Sequence, residues 1–229
     1  YLRKREGLDA VTLSDLISTY RELSFDKGKP PFVSDDMATL FANEAECEAC
    51  RRGDLIIDSS SPMCSISIET GEPLIKLDGS ILDVRRAKLG NGTAHLLPVK
   101  TADLDAHSAA WESESGNPSH YVIDYQSGCI RLYPSPSSSD LLQLTVRRLP
   151  AERMEDVEDE PEVRQEAHFA LVHWILFRAY SRSDTDMYDE RKAGSAMAEF
   201  EREFGAKRGL RNEMWARTTH DAIDTAPIA

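Results

Sequence analysis

The hydrophobic period of this chain changes twice, and the two changes limit the folds open to it. Up to Gly53 apolar residues recur every three or four positions. From Leu55 they alternate, and after Pro150 the longer period returns. A chain patterned this way builds helices, then a β region, then helices again. That order defines an α+β protein, with a region of short strands patterned like a small sandwich or barrel between two helical stretches.

The first helical stretch, "TLSDLISTYRE", sets Leu13, Leu16, Ile17 and Tyr20 on one face, with Thr12 as N-cap. Gly28 and the Pro30-Pro31 pair form a loop that cannot continue the helix. Ser34 then caps "DDMATLFANEAECEACRR", with Asp35 and Asp36 in its first turn and Arg51 and Arg52 in its last, as the helix dipole favours. Gly53 ends it. In the β region "MCSISIE" alternates Cys64, Ile66 and Ile68 inward. "SILDVRRAKL" and "AHLLPV" flank Gly90-Asn91-Gly92, a hairpin signal, and "HYVIDY" and "CIRLYP" are joined by a second one at Gln126-Ser127-Gly128. A short helix is expected over Ala102–Trp111 and a loop over "ESESGNPS". "LLQLTVRRL" closes a region of six to eight short strands.

After Pro150 comes "AERMEDVEDEPE", with seven acidic residues against one Arg, which reads as a linker or helix-entry segment with a solvated face. "AHFALVHWILFRAY", 167–180, is apolar at eleven of fourteen positions. A helix apolar nearly all round is buried on several sides or lies at an interface, so Phe169, Val172, Trp174, Ile175 and Phe177 are candidates for packing between subunits. A last helix carries Ala193, Met197, Phe200 and Phe204 on its inner face. The expected divisions are helices in 1–53, a β domain in 54–150, helices in 151–205 and a C-terminal arm in 206–229.

No catalytic or metal pattern survives inspection of its spacing. Cys47-x-x-Cys50 lies within a helix and lacks a second ligand pair. His168 and His173 are five apart, so their side chains diverge. No G-x-S-x-G elbow surrounds Ser59-Ser60-Ser61, and Gly90-Asn91-Gly92 is followed by no Lys-Ser/Thr. Four cysteines with no sign of secretion read as reduced thiols. Tyr1-Leu2-Arg3-Lys4-Arg5 is followed by no apolar run and does not read as a signal peptide, and no stretch is long and apolar enough to span a membrane. The net charge of −13 argues against a protein that wraps DNA by neutralising phosphates.

Two passages carry a resemblance. "GNPSHYVIDYQSGCIRLYPSPSSSDLLQLTVRRLP", with its G-x-P-x-x-Y entry and LYPxP turn, precedes the acidic segment. "PEVRQEAHFALVHWILFRAYSRSDTDMYDERKAGSAMAEFEREF" follows it. Together with the helix ending "RRGDLIID", this order over roughly residues 12–205 resembles the head–tail adaptor proteins of tailed bacteriophages. The resemblance implies a structural, non-enzymatic virion component at the capsid–tail junction, assembled in the host cytoplasm and needing no cofactor or metal. It implies a helical bundle formed by the N- and C-terminal helices with an inserted small antiparallel β domain, and a ring of twelve copies beneath the portal, in contact with the portal protein and the tail (nozzle or tail tube). Double-stranded DNA would pass through at ejection without specific binding. The arm is then the expected portal contact through Leu210, Met214, Trp215, Ile223 and Ile228. Alternatives are another connector component, such as a stopper or tail-completion protein, a regulatory binding module, and a hydrolase with an acidic cleft.

Overall fold

The computed structural model describes residues 11–90 and 95–207. In chain order they form α1 (Leu13–Ser24), α2 (Asp35–Arg52), β1 (Ile57–Asp58), β2 (Ser65–Ile68), β3 (Leu74–Lys76), β4 (Ile81–Leu89) and β5 (His95–Val99). There follow α3 (Thr101–His107), β6 (Ser115–Gly116), β7 (His120–Val122), β8 (Cys129–Tyr133), β9 (Ser135–Pro136), β10 (Asp140–Arg148), α4 (Val172–Tyr180) and α5 (Glu190–Phe204). The chain divides into two compact units. One joins the residues up to Ile56 with Leu149–Lys207, and the other is built on Ile57–Arg148.

The helical unit follows its caps. Thr12 accepts the Asp15 N–H while the Asp15 carboxylate accepts the Thr12 N–H, a reciprocal box that closes the start of α1. Ser34 accepts the Met37 N–H at the start of α2, and Gly53 ends that helix. Leu13, Leu16 and Tyr20 of α1, the alanine face of α2, and Leu171, Ile175 and Phe200 share one core. The apolar stretch 167–180 is not one helix. Two 3-10 turns, Gln165–Ala167 and Phe169–Leu171, lead into a shorter α4. The entry is tied down by the buried His168, whose Nε2–H donates to the Val163 carbonyl at 2.8 Å.

The β unit is an open, curled sheet in the order β1-β10-β4-β5-β7-β8-β3, with β2 also on β10. β1 and β2 lie end to end along one edge of β10, so together they act as a single interrupted strand. The sheet is mixed rather than purely antiparallel, because β5 and β7 run parallel. Parallel neighbours need a crossover, and α3 lies within it. Both expected hairpins pair, β4 with β5 and β7 with β8. The expected loop "ESESGNPS" contains β6, which pairs with β9.

One irregularity positions the outer face of the sheet. Val84 pairs with Val146 but Arg86 pairs with Thr145, so Arg85 is an extra residue in β4. This bulge shifts the alternation by one and turns Arg85 and Arg86 outward together, while Val84 and Ala87 stay inside.

Candidate functional site

The serine run and His168, weighed above for chemistry, have structural roles. Cys47 and Cys50 are thiols on α2 outside any disulfide, and burial pushes the Cys47 thiol up rather than activating it. The serine run 59–61 wraps Asp58, whose Oδ1 accepts the N–H groups of Ser60 at 2.9 Å and Ser61 at 3.1 Å. Asp58 Oδ2 accepts from Arg148 Nε at 2.7 Å, and both side chains are buried. Burial alone would raise this carboxyl, but the Ser60 N–H, Arg148 and Ser61 outweigh it and hold it below the usual carboxylate range. Among the described residues no three His, Cys, Asp or Glu side chains converge as a metal site.

In the helical unit the acidic stretch after Pro150 is a clamped loop rather than a slack linker. The Leu13 N–H donates to the Asp159 carbonyl at 2.7 Å and the Ser14 N–H to the Val157 carbonyl at 2.9 Å, so the loop fills the first turn of α1. Asn43 binds both the N–H and the carbonyl of Met154, each at 2.9 Å. Glu46, buried on α2, accepts the N–H groups of Glu162 at 2.6 Å and Val163 at 3.1 Å. Desolvation pushes its pKa up to about 7, although both N–H groups pull it down. The solvent side keeps Glu155, Glu158 and Glu160 exposed around Val157, itself 60% exposed.

At the far end of this unit Arg52 fastens the last turn of α5. Its guanidinium lies 5.5 Å from the Trp174 ring and 5.0 Å from the Phe200 ring, and Nη1 donates to the Gly205 carbonyl at 3.3 Å. The chain therefore leaves α5 at a fixed point. The arm residues Leu210, Met214, Trp215, Ile223 and Ile228 lie outside the described residues.

Of the five candidates for packing between subunits, Val172, Trp174 and Ile175 are buried in the chain's own core and have little surface left to offer. The all-round apolar pattern here reflects contact with α2, α1 and α5 within one chain. Phe177 is half-buried and Phe169 is 57% exposed. Apolar side chains that the pattern did not single out are more prominent: Leu23, Phe25 and Phe32 around the loop after α1. Phe25 is 84% exposed and sits at φ 61°, in the left-handed region. The buried Asp26 fixes this loop by accepting from Tyr20 Oη, Arg21 and the N–H groups of Phe32 and Val33.

The β unit has a surface of the opposite character. Where β1 gives way to β2 along β10, a groove of about 420 Å³ opens, lined by Ser59–Ser61, Ser65, Arg86, Lys88, Gln143 and Thr145. None of its lining residues is acidic, in a chain of net charge −13. Sequence reasoning passed over this face. The signal available was the broken alternation in "LDVRRAKL", where three positions rather than two separate Val84 from Ala87.

Exposed apolar side chains and an acid-free groove are the surface features that stand out among the described residues. The SU10 adaptor protein family model matches residues 11–222, and the chain belongs to that family of phage adaptor proteins. No curated protein matches the chain. Among the described residues no helix is long and apolar enough to cross a membrane.

Proposed function

We propose that this adaptor forms a ring beneath the portal that joins the capsid vertex to the tail and lines the channel through which DNA leaves. The observation that carries this reading is the family match over nearly the whole described chain. The surfaces support it. Exposed Phe25, Phe32 and Phe169 are suited to partner proteins, because large apolar groups held in water gain most from being covered. The net charge of −13 suits a conduit, since an acidic wall repels phosphate and lets a genome slide. In this reading residues 54–150 act as a domain inserted into the helical framework of 1–53 and 151–205. The ring has twelve copies, contacts portal and tail proteins, and has no catalytic task.

The arm 206–229 is proposed as the portal contact, through Leu210, Met214, Trp215, Ile223 and Ile228. Arg52 supports this by anchoring the residue from which the arm departs. The test is native mass of the chain alone and mixed with the portal ring of the same phage. Many copies per portal ring are expected, and deletion of 206–229 is expected to abolish the complex while leaving the melting curve intact. A full-length chain that ignores the portal rejects the role. Undiminished binding after the deletion rejects the arm.

A further inference from the structure

We propose that the basic groove of the β unit receives the acidic loop of a neighbouring copy, making the head-to-tail contact of the ring. This rests on the ring reading above and names the surfaces that would build it. A ring of identical copies needs two different, complementary patches on every subunit. The chain carries one of each.

The receiving patch is the groove between the serine loop and β4. Arg86 is held against the His95 ring, Nη2 to Nε2 at 2.6 Å, and among the described residues neither Arg86 nor Lys88 pairs with a carboxylate. The hydroxyls of Ser59–Ser61 and the Gln143 amide add neutral donors. Leu97 and Leu141, both exposed, share this side of the sheet by strand alternation.

The entering patch matches it in charge. Glu155, Glu158 and Glu160 surround the exposed Val157, so anionic groups flank one apolar tip. The loop is already ordered. Asp159 Oδ2 accepts the Glu155 and Asp156 N–H groups at 2.8 Å each, and the Val157 and Asp159 carbonyls are fixed on α1. A preordered loop loses little entropy on docking, so modest charge pairing suffices. A DNA duplex is the other polyanion the groove would attract. A protein partner is favoured because the exposed Leu97 and Leu141, on the same face of the sheet as the groove, offer apolar surface that Val157 of the loop could cover, whereas a phosphate backbone presents none.

Charge reversal on the full chain tests the contact. One variant carries Arg86→Glu with Lys88→Glu, a second carries Glu155→Lys with Glu158→Lys, and a third carries all four changes. Sedimentation velocity reads assembly of each, alone and with the cognate portal ring, and a thermal melt checks folding. Each two-site variant should need at least about tenfold more protein to assemble than wild type, because like charges then face each other. An equimolar mixture of the two should assemble again, since every junction in an alternating ring regains opposite charges, and so should the four-site variant. Wild-type rings with indifferent two-site variants, or a mixture that stays dissociated, overturn the contact and leave the ring reading standing. Two-site groove variants that assemble normally but lose retention of a short DNA duplex overturn it in favour of DNA. A wild-type chain with no multicopy assembly, with or without the portal, overturns the ring reading and the contact with it.

Discussion

Two buried carboxylates, one from each unit, are managed in opposite ways. Asp58 in the β unit is paired with Arg148 and wrapped by serine N–H groups, so its charged form is favoured. Glu46 in the helical unit meets only backbone N–H groups, and desolvation raises its pKa to about 7. The difference follows from what each unit must hold. The β strands find their partners through backbone ladders, so a buried charge is needed only where the edge of β10 is interrupted. The helical unit must hold an irregular segment more than a hundred residues away in sequence, and it does so with Asn43 and Glu46 side chains. Side-chain clamps onto free backbone take the place of a ladder there.

The largest expected effect breaks the Asp58 arrangement. Asp58→Ala should destabilise the β unit by about 3 kcal/mol or more, since removing one partner of a buried pair leaves the other's charge poorly compensated. Hydrogen exchange followed by peptide mass should show loss of protection in β1, β4 and β10, with α1 and α2 less affected. In the parent chain the folded Asp58 is depressed, so its contribution is present above the ordinary carboxylate range and is lost as pH falls through the lower folded value. The β unit should therefore lose protection on acidification. Equal protection in variant and parent would remove the pair from the account of this unit.

Glu46 runs the other way. Its folded value, about 7, lies above the ordinary 4.5, so between those two pH values the folded chain keeps a proton the unfolded chain has released. Stability of the helical unit should fall as pH rises through that window and level off above it. Glu46→Gln keeps an acceptor for the Glu162 and Val163 N–H groups and removes the charge. At pH 8 the variant should gain up to about 3 kcal/mol, the free-energy equivalent of the shift, and its melting temperature should lose the slope across the window. A lower melting temperature for the variant at pH 8 would mean that the charge strengthens those two bonds by more than burial penalises it.

The same contrast explains what could be read in advance. Regular elements announced themselves: Thr12 and Ser34 cap where hydroxyl residues precede apolar periodicity, and both hairpins pair where glycine marks the turn. The acidic stretch did not, because its order depends on Asn43 and Glu46, far off in sequence, and no local period encodes such a clamp. The apolar stretch 167–180 calls for several neighbours, and within the chain α1, α2 and α5 pack against its helix. Apolarity reports burial and does not say against which copy. The groove was hidden for a third reason. It depends on a bulge at Arg85 and on two short strands sharing one edge of β10, and pairing of that kind emerges only in the fold.

The smallest effect concerns the two ends of α1, and it separates stability from assembly. The start of the helix has a complete capping box, whereas its end places Phe25 in the left-handed conformation that glycine adopts without strain. Phe25→Gly should relieve that strain and stabilise the helical unit by about 1 kcal/mol or somewhat less, the gain being reduced by the greater freedom of glycine in the unfolded chain. Little packing is lost, because the ring is 84% exposed. The proposed function gives this substitution a second expected result: weaker assembly in spite of a more stable fold, read as a higher melting temperature beside a lower mass on the portal ring. A variant that melts higher and assembles as well as its parent would place the partner surface elsewhere, and Phe169, the exposed aromatic ahead of α4, would be the next residue to change. A variant that melts lower would show that the ring packs on its own loop, and the αL backbone at Phe25 would then need no functional reason.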